Sequence, residues 1–298
     1  MNILVAGGTG FIGTNLVREL HDRDHDVTVL ARDPDEADLP AGVERARGDV
    51  TAYDSIEGAF EGQDAVINLV SLSPLFQPSG GKTHTEVHLG GTRNIVRAAE
   101  AHDVRKIVQM SGLDADPNGP SEFLRAKGRA EAVVRDSDLA HTIYRPSTVF
   151  GDGGEFVSFT KLLTTPYVTG LPGGGRTPFQ PIWVGDLVPM LADGVNEEHD
   201  GETYELGGPE VLTLADVTRL AYRAEGKWVK VLPVPMPLAK VGLTAADPIP
   251  FVPFGLDQYR SLKVDNTVAD NDVDDFGVAE SDLTSLGEYL GLSNRQEG

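Results

Sequence analysis

The chain has 298 residues, enough for one large domain or for a domain with a smaller second lobe. It contains no cysteine, which excludes disulfides, thiolate zinc sites and cysteine nucleophiles. Its 46 acidic and 25 basic residues give a net charge of −21, which is typical of halophilic proteins and argues against nucleic acid as a partner. Repulsion of acidic substrates and a basic partner are the alternative interpretations of this charge.

No targeting or membrane-spanning segment is predicted. The first apolar run begins at residue 2, so no signal peptide is expected before it. No apolar run approaches the ~18 residues that a membrane span requires. The sequence therefore predicts a cytoplasmic protein.

The stretch from Met1 to Gly13 carries the most specific motif of the chain. Asn2 to Ala6 is an apolar run typical of a buried parallel strand, and Thr14 to His21 is predicted to be a helix. The glycines between them have the spacing G-x-x-G-x-x-G, which permits a tight turn and lets a pyrophosphate approach the backbone at a helix N-terminus. The alternative is a tight turn without a ligand. A dinucleotide is expected to bind at Gly7, Thr9, Gly10, Phe11, Ile12 and Gly13.

The end of the second predicted strand, Asp26 to Leu30, distinguishes between the two nicotinamide cofactors. An acidic residue there would bind the adenosine ribose of NAD, whereas Arg32 is placed to pair with the 2′-phosphate of NADP. Asp33 comes one or two positions late for the NAD role but could still perform it. NADP is therefore expected as the cofactor, and NAD stays open as the alternative.

Strands and helices continue to alternate up to Pro146, which is the signature of a doubly wound parallel sheet. The loop at 71–82 is rich in Pro, Gly and Ser and is expected beside the cofactor. Further strands are predicted at 43–47, 64–70, 104–110 and 139–144, and helices at 53–60, 85–102 and 121–136 with Ser121 as N-cap.

Beyond Pro146 the sequence becomes rich in glycine and proline, and a smaller C-terminal lobe is predicted. The predicted domains are a dinucleotide-binding domain at 1–150, to which 183–198 return, and a substrate or cover lobe at 151–298. Within the lobe we expect a helix at 186–196 capped by Asp186, a strand at 202–206, a helix at 214–225 capped by Thr213, irregular structure at 231–255, turns at 265–282 and a frayed end at 293–298.

Four segments together resemble the extended short-chain dehydrogenase/reductases, the epimerase/dehydratase group. They are GGTGFIG at 7–13, TEVHLGGTRNIVRAAEAHDVRKIVQMSG at 85–112, RPSTVFG at 145–151 and PIWVGDL at 181–187. Two later segments, YELGGPE at 204–210 and the run at 256–266, are similar to the atypical subgroup around the nucleotide-binding accessory subunit of respiratory complex I.

The resemblance covers nearly the whole chain and implies an α/β, Rossmann-type fold that binds a nicotinamide dinucleotide. It implies that Asp49 and Val50 hold the adenine edge, although Asp49 is alternatively a helix N-cap. Tyr144 is expected on the cofactor side of the sheet, and its alternative is a packed aromatic residue. The further expected cofactor contacts are Leu69, Val70, Ser71, Lys127 and Pro146.

Catalytic members of this family use a serine, a tyrosine and a lysine four residues after the tyrosine. The resemblance places Ser111 and Lys127 in two of these roles, but Phe123 stands at the tyrosine position. Phenylalanine has no ionisable proton, so the standard proton relay is missing, while Lys127 can still hold the ribose. The sequence thus predicts an oxidoreductase or epimerase with an altered site, or alternatively a catalytically weak NADP(H)-binding accessory or sensor protein.

Two other features have alternative interpretations. His84 and His88 have helical spacing, but the order H-x-E-x-H is not the H-E-x-x-H of zinc enzymes, so no metal is expected. The Pro-rich apolar stretch from Val231 to Leu256 is predicted to cover the cofactor cleft. Alternatively it binds a hydrophobic, quinone-like substrate or a partner protein, through which the chain would be peripheral to a membrane.

Overall fold

The structure, a computed structural model, describes residues 1–75, 81–235 and 265–292. Its contacts divide the chain into two units. The first consists of Met1–Leu72, Pro78–Pro146 and Leu187–Tyr204, and the second of Ser73–Gln77, Ser147–Asp186 and Glu205–Gly298. The predicted boundary near residue 150 stays a prediction.

The strands in chain order are β1 (Asn2–Ala6), β2 (Asp26–Ala31), β3 (Glu44–Arg47), β4 (Ala65–Asn68), β5 (Lys106–Met110), β6 (Ala140–Pro146), β7 (Val149–Phe150), β8 (Tyr167–Pro172), β9 (Pro178–Phe179), β10 (Ile182–Trp183), β11 (Thr203–Leu206), β12 (Leu212–Thr213) and β13 (Val229–Val234). Seven of them form one sheet in the order β11-β6-β5-β4-β1-β2-β3. Strands β1 to β6 pair in parallel, with Val5 opposite both Val29 and Ile67. The predicted doubly wound parallel sheet is confirmed.

The helices are α1 (Phe11–Asp22), α2 (Gly91–Ala101), α3 (Glu122–Arg135), α4 (Glu155–Leu163), α5 (Val184–Asp193), α6 (Leu214–Arg223) and α7 (Leu286–Tyr289). Two predicted N-caps are confirmed. The Ser121 hydroxyl accepts a hydrogen bond from the Leu124 N–H at 3.3 Å, and Thr213 forms a reciprocal capping box with Asp216. None of the described helices is long and apolar enough to cross a membrane.

The core of the first unit lies against the central strands. Leu4 and Val66 on neighbouring strands are fully buried, and so are Ile95 of α2 and Ile107 of β5, which belong to the same apolar cluster. Full burial of one such aliphatic side chain contributes about 1.5–3 kcal/mol relative to exposure. This packing fixes the strand ends, from which the loops of the candidate site extend.

Three predicted helices differ from the observed structure in the first unit. Helix α1 begins at Phe11 rather than Thr14. Residues Tyr53–Ser55 and Glu57–Phe60 form two 3-10 turns instead of one helix. There the Ser55 hydroxyl donates to the Ala52 carbonyl at 2.7 Å, a local bond that competes with regular helix. The third predicted helix begins with a π-helical segment, Thr85–Gly90, before α2.

Two predictions in the second half of the chain were wrong. Asp186 is not an N-cap, because α5 begins at Val184 and the Asp186 carboxylate accepts a hydrogen bond from the Thr284 N–H at 2.7 Å. Residues 231–234, predicted to be irregular, belong to strand β13. That strand tolerates its proline because it pairs only with β8 in a two-stranded ribbon. The remaining predictions for 236–264, 76–80 and 293–298 lie outside the described residues.

Candidate functional site

The loops that follow the parallel strands of the first unit meet at one edge of the sheet. Strand β1 lies between β2 and β4, so the glycine turn after β1 lies between Arg32, which follows β2, and Leu69, which follows β4. Ligands of open parallel sheets bind at the carboxyl ends of the strands, where the strand order reverses. The topology therefore brings most of the predicted cofactor residues to the expected edge.

Two glycines of the turn are required by the fold itself. Gly7 has a φ of +83°, and a Cβ on it would lie 3.1 Å from the backbone nitrogen of Val70. A Cβ on Gly13 would lie only 2.3 Å from the Gly7 carbonyl oxygen. These two positions bring the turn against the end of β4 and bring α1 against the turn.

Gly10 is different, because the described part of the chain leaves room for a side chain there. Its φ is −77°, and the only atom within 4 Å of a Cβ would be the Gly7 carbonyl oxygen at 3.4 Å. The residue is exposed and precedes α1, which has no side-chain cap and no acidic residue in its first turn. The helix thus presents unbonded N–H groups and a positive partial charge to solvent, an arrangement that suits a phosphate.

Acidic and basic side chains follow β2, and the acidic ones are paired with an arginine. Asp33 accepts a hydrogen bond from Arg47 at 2.6 Å, and Asp35 lies 3.3 Å from the same guanidinium group. Arg32 is exposed and makes no hydrogen bond or ion pair with any residue in the described ranges. The cation at this strand end is therefore available, while the nearest carboxylate already has a partner.

Asp49, after β3, is held by an ion pair that the sequence did not reveal. Its carboxylate pairs with the ammonium group of Lys82 and accepts two hydrogen bonds from Thr51, at 3.0 Å from the N–H and 2.8 Å from the hydroxyl. Partial burial raises the pKa of Asp49, but these partners outweigh it and lower that pKa to about 2. Asp49 is thus an Asx-type turn residue rather than a helix N-cap.

Ser111, after β5, donates its hydroxyl proton to a buried carboxylate. Its Oγ lies 2.5 Å from Oε1 of Glu131, a side chain that is 1% exposed. Arg145 binds both oxygens of Glu131, at 2.9 and 2.7 Å, and Arg135 lies 3.0 Å from one of them. In this arrangement the Ser111 oxygen can accept a hydrogen bond from a ligand, while its own proton is already committed.

The ammonium group of Lys127 is buried next to Ser111. Its Nζ donates to the carbonyl of Met110 at 2.9 Å, and the residue is 2% exposed. Burial lowers the pKa of Lys127 to about 8, although the carboxylate of Glu131 opposes this shift. An ammonium group has three donors, and the Met110 carbonyl satisfies one of them, so the residue can still bind ligand oxygens.

Phe123 contacts two buried histidines. Its ring meets His84 and His88 edge-on, with centroids 5.6 and 5.4 Å apart, and the Lys127 Nζ lies 5.9 Å from its centroid. The histidine rings stack, with Nδ1 of His84 3.3 Å from Nε2 of His88. Burial, with Lys127 and His84 nearby, lowers the pKa of His88 well below its ordinary value. That no metal binds this pair stays a prediction.

Tyr144 is not available as a cofactor contact, which corrects the prediction. Its side chain is completely buried, and its hydroxyl donates to the Met190 carbonyl at 2.6 Å. Burial raises the pKa of Tyr144 above its usual range. The packed aromatic alternative is therefore the observed state. Pro146 is also buried, and its carbonyl accepts a hydrogen bond from the Leu113 N–H at 3.2 Å.

The remaining predicted contacts differ in burial, and of these Leu69 and Val70 lie against Gly7 of the glycine turn. Leu69 is buried, and its N–H donates to the Ala6 carbonyl at 2.9 Å. Val70 is half-buried against Gly7, whereas Ser71 is exposed. Val50 is buried, and its carbonyl accepts a hydrogen bond from Asn94 at 2.8 Å. Thr9, Phe11 and Ile12 are partly exposed at the start of α1.

Sequence reasoning missed Lys82, Glu131 and the contacts of the two histidines. A signal for Glu131 existed, because Phe123, Lys127 and Glu131 follow one another at intervals of four and share one face of α3. Lys82 had no such signal, since it lies 33 positions from Asp49.

The glycine turn, the uncapped helix, Arg32 and Lys127 together fit an anionic dinucleotide. This combination on a doubly wound sheet defines the class of dinucleotide-binding α/β proteins. A family model described as NAD(P)H-binding matches residues 7–161, more than half of the chain. The chain belongs to this NAD(P)H-binding family.

Relatives with known names support the same assignment. A mitochondrial protein of Arabidopsis thaliana, NADH dehydrogenase [ubiquinone] 1 alpha subcomplex subunit 9, is 29% identical, and the match covers 90% of this chain and 71% of that protein. The NAD(P)H azoreductase of Xenophilus azovorans is 26% identical over 81% of this chain and 80% of that protein. The chain is thus an atypical short-chain dehydrogenase/reductase that resembles the complex I accessory subunit.

A solved structure shows the same fold. The nucleoside-diphosphate-sugar epimerase of Staphylococcus aureus superposes with a TM-score of 0.74 at 19% identity, covering 97% of this chain and 99% of that one. The Rossmann-type fold that the sequence predicted is therefore confirmed. A nicotinamide dinucleotide is the cofactor class of this family.

Proposed function

We propose that the protein binds NADP(H) at the carboxyl ends of β1 and β2 and does not use a serine–tyrosine–lysine proton relay. In this proposal it is an accessory or sensor protein, attached to a respiratory or quinone-related assembly, in which the dinucleotide has little turnover. The observation that carries the proposal is the pair of Phe123 and Lys127 on α3. A buried ammonium group is retained for the cofactor, and one helical turn before it stands the ring of Phe123 rather than a phenol.

The preference for NADP rests on Arg32. A free guanidinium group at the end of β2 can form charge-assisted hydrogen bonds to a 2′-phosphate, which NAD lacks. Asp33, the residue that would instead favour NAD, is bound to Arg47. The pyrophosphate is assigned to the N–H groups at the start of α1, and the ribose hydroxyls to Lys127.

Little turnover of ordinary carbonyl substrates is expected, because of which side chains near Lys127 could donate a proton. The bound dinucleotide supplies a hydride, and reduction of a carbonyl also needs a proton donor at the oxygen. Phe123 cannot donate one, and Ser111 already donates its hydroxyl hydrogen bond to Glu131. Burial holds the pKa of His88 well below its ordinary value, and the proposal assigns the ammonium group of Lys127 to the ribose hydroxyls rather than to a substrate carbonyl. Positioned proton donors commonly contribute about 10²–10⁴-fold to such rates.

A second candidate is an NADP(H)-dependent reductase whose acceptor takes its proton from another source. The similarity to an NAD(P)H azoreductase over 81% of this chain favours it. In this case the substrate is a small molecule, and a hydrophobic, quinone-like acceptor fits the Pro-rich composition of residues 231–256. The first candidate instead assigns that stretch to a protein partner, through which the chain would be peripheral to a membrane.

Mass spectrometry of the nucleotide released on denaturation of the purified protein tests the cofactor directly. NADP or NADPH in near-stoichiometric amount is expected. Recovery of NAD alone would contradict the role given to Arg32. Oxidation of NADPH with a quinone or an azo compound, followed at the nicotinamide absorbance, separates the two candidates, because only the second predicts steady turnover.

A further inference from the structure

A part of the second unit differs sharply in charge from the rest of the chain. Residues 156–185 and 226–246 contain no Asp or Glu, although the chain has 46 acidic residues and a net charge of −21. Four of its eight lysines, Lys161, Lys227, Lys230 and Lys240, lie within these two stretches. Two separate segments have thus been kept free of the negative charge that dominates the protein.

The fold pairs one strand from each of these two segments in a ribbon. Strands β8 and β13 pair in parallel, with Val168 opposite Lys230 and Gly170 opposite Leu232. Tyr167, Val168, Trp228 and Leu232 are 50%, 49%, 63% and 43% exposed, so the ribbon carries much of the exposed large apolar surface of the described chain. These four residues and Lys230 are named the ribbon patch.

The backbone at Tyr167 is strained in a way that displays its ring. Its φ is +71°, a conformation that bulky side chains rarely adopt, and the Val168 N–H donates to the Pro166 carbonyl at 2.9 Å across it. The Tyr167 N–H donates to the Trp228 carbonyl, and the two rings meet edge-on with centroids 5.4 Å apart. A strained turn therefore holds two aromatic rings side by side at the surface, and strained backbone is typically kept where function requires it.

Three lysines and one glutamate are among the charged side chains of this part of the described chain. Glu225 is the nearest acid in sequence before β13, and it is bound by Lys161 at 2.6 Å and Lys227 at 2.8 Å. These lysines lower the pKa of Glu225 to about 2, so it is ionised and paired at any ordinary pH. The side chain of Lys230 is exposed and has no ion pair or hydrogen bond within the described residues.

We propose that the ribbon patch docks the protein on a lipid surface that carries anionic headgroups. Tryptophan and tyrosine favour the boundary between water and hydrocarbon, because each has an apolar ring and a polar atom. Lysines beside them extend their ammonium groups to lipid phosphates while their stems lie on apolar surface.

Lipid fits these observations better than a protein partner does. Protein interfaces are enriched in Tyr and Trp but depleted in Lys, whereas this patch has lysine at its centre. The acidic stretches elsewhere in the chain are repelled by anionic lipid over a Debye length of about 8 Å at physiological salt, so the lysine-bearing ribbon patch is the surface expected to meet the membrane. The proposal concerns the ribbon patch alone, so the protein partner of the first candidate is left to the part of residues 231–256 beyond it. The docking does not depend on the dinucleotide or on turnover.

Flotation of the full-length protein with vesicles tests the proposal. One set consists of equal parts phosphatidylcholine and phosphatidylglycerol, and the other of phosphatidylcholine alone. The wild-type protein is expected to float with the anionic set and much less with the neutral set. Lys230→Glu should weaken binding on the order of twenty-five-fold, since each unit of charge near the surface contributes roughly fivefold. Trp228→Ser should weaken it by about tenfold.

Val211→Ser is the matched control, because Val211 is 58% exposed but lies outside the ribbon. It should float like the wild type. Circular dichroism checks that each variant folds. If Trp228→Ser misfolds, Lys230→Glu still tests the proposal, because it changes an exposed side chain. If the wild type fails to float, the proposal is wrong, and an acidic protein surface becomes the partner that fits. If Lys230→Glu and Trp228→Ser both float like the wild type, the proposal is also wrong.

Discussion

The ring of Phe123 meets the ring of His88 edge-on, with centroids 5.4 Å apart and planes at 89°. His88 is 2% exposed, and its Nδ1 has no hydrogen-bond partner among the described residues. An apolar ring at this position packs against the imidazole without competing for a proton. The residue expected at the family's tyrosine position thus belongs to a packed aromatic cluster, in which a phenylalanine ring is accommodated.

Phe123→Tyr is expected to create carbonyl reductase activity or to raise any residual activity. The new hydroxyl extends from Cζ, which lies 3.6 Å from the position of a Cβ on Gly112, next to Ser111. It would be the phenol that the relay lacks, one helical turn from Lys127. Steady-state NADPH oxidation with simple carbonyl substrates measures the gain. Phe123→Leu is the control and should show none; equal rates for both variants would refute a proton-donor role at this position.

Gly10→Val should abolish NADPH binding and leave the fold intact. The backbone of Gly10 accommodates a side chain, so the conflict arises only with the pyrophosphate. Gly13→Ala should instead lower the free energy of unfolding by at least about 2 kcal/mol, because its Cβ would meet a backbone oxygen at 2.3 Å. Calorimetric titration and denaturant unfolding distinguish the two effects. Normal NADPH affinity of Gly10→Val would place the cofactor elsewhere.

Arg32→Ala should weaken NADPH by about tenfold or more and leave NADH nearly unchanged. One charge-assisted hydrogen bond to the 2′-phosphate is lost, and NADH has no such group. Arg18→Ala is a matched control, since Arg18 is also exposed but is 3.5 Å from Asp38. Equal losses for both cofactors, measured by titration calorimetry, would show that Arg32 does not bind the 2′-phosphate.

The apo protein should become more stable as the pH rises from about 8 towards 10. The pKa of Lys127 is about 8 in the folded state and about 10.4 in an unfolded chain, so the unfolded state binds more protons over this window. At neutral pH both states are protonated, and the burial cost of the ammonium group is fully present. Lys127→Met should remove this pH dependence of the unfolding free energy. An unchanged slope in the variant would assign it to other groups.

The sequence predicted the local elements of the fold well, because their signals lie within a few residues of each other. The strand, glycine turn and helix from Asn2 to Asp22 depend on spacing alone, and the caps at Ser121 and Thr213 depend on one side chain and the next turn. The helix predicted at 53–60 was wrong, because the Ser55 hydroxyl bonds locally to the Ala52 carbonyl and the segment forms two 3-10 turns.

The contacts of the candidate site depend on pairs that are distant in sequence. Ser111 and Glu131 are 20 positions apart, and their hydrogen bond requires the exact placement of α3 over β5. The strand at 229–234 was missed because its proline disfavours a strand, and only the pairing with β8 accommodates it. Tyr144 was placed at the cofactor because its strand end is at the correct edge, although its side chain points into the core.

The most direct test of the central claim is the steady-state rate of NADPH oxidation by the wild-type protein with simple carbonyl and sugar substrates. The measurement is made at NADPH concentrations that saturate binding, as established by titration. We predict saturable binding with a rate close to the uncatalysed background, because Phe123 is expected where the family relay has its tyrosine and Lys127 is assigned to the ribose. Brisk turnover by the wild-type protein would contradict the account, and its persistence in a Ser111→Ala, Lys127→Ala double variant would place the active site elsewhere.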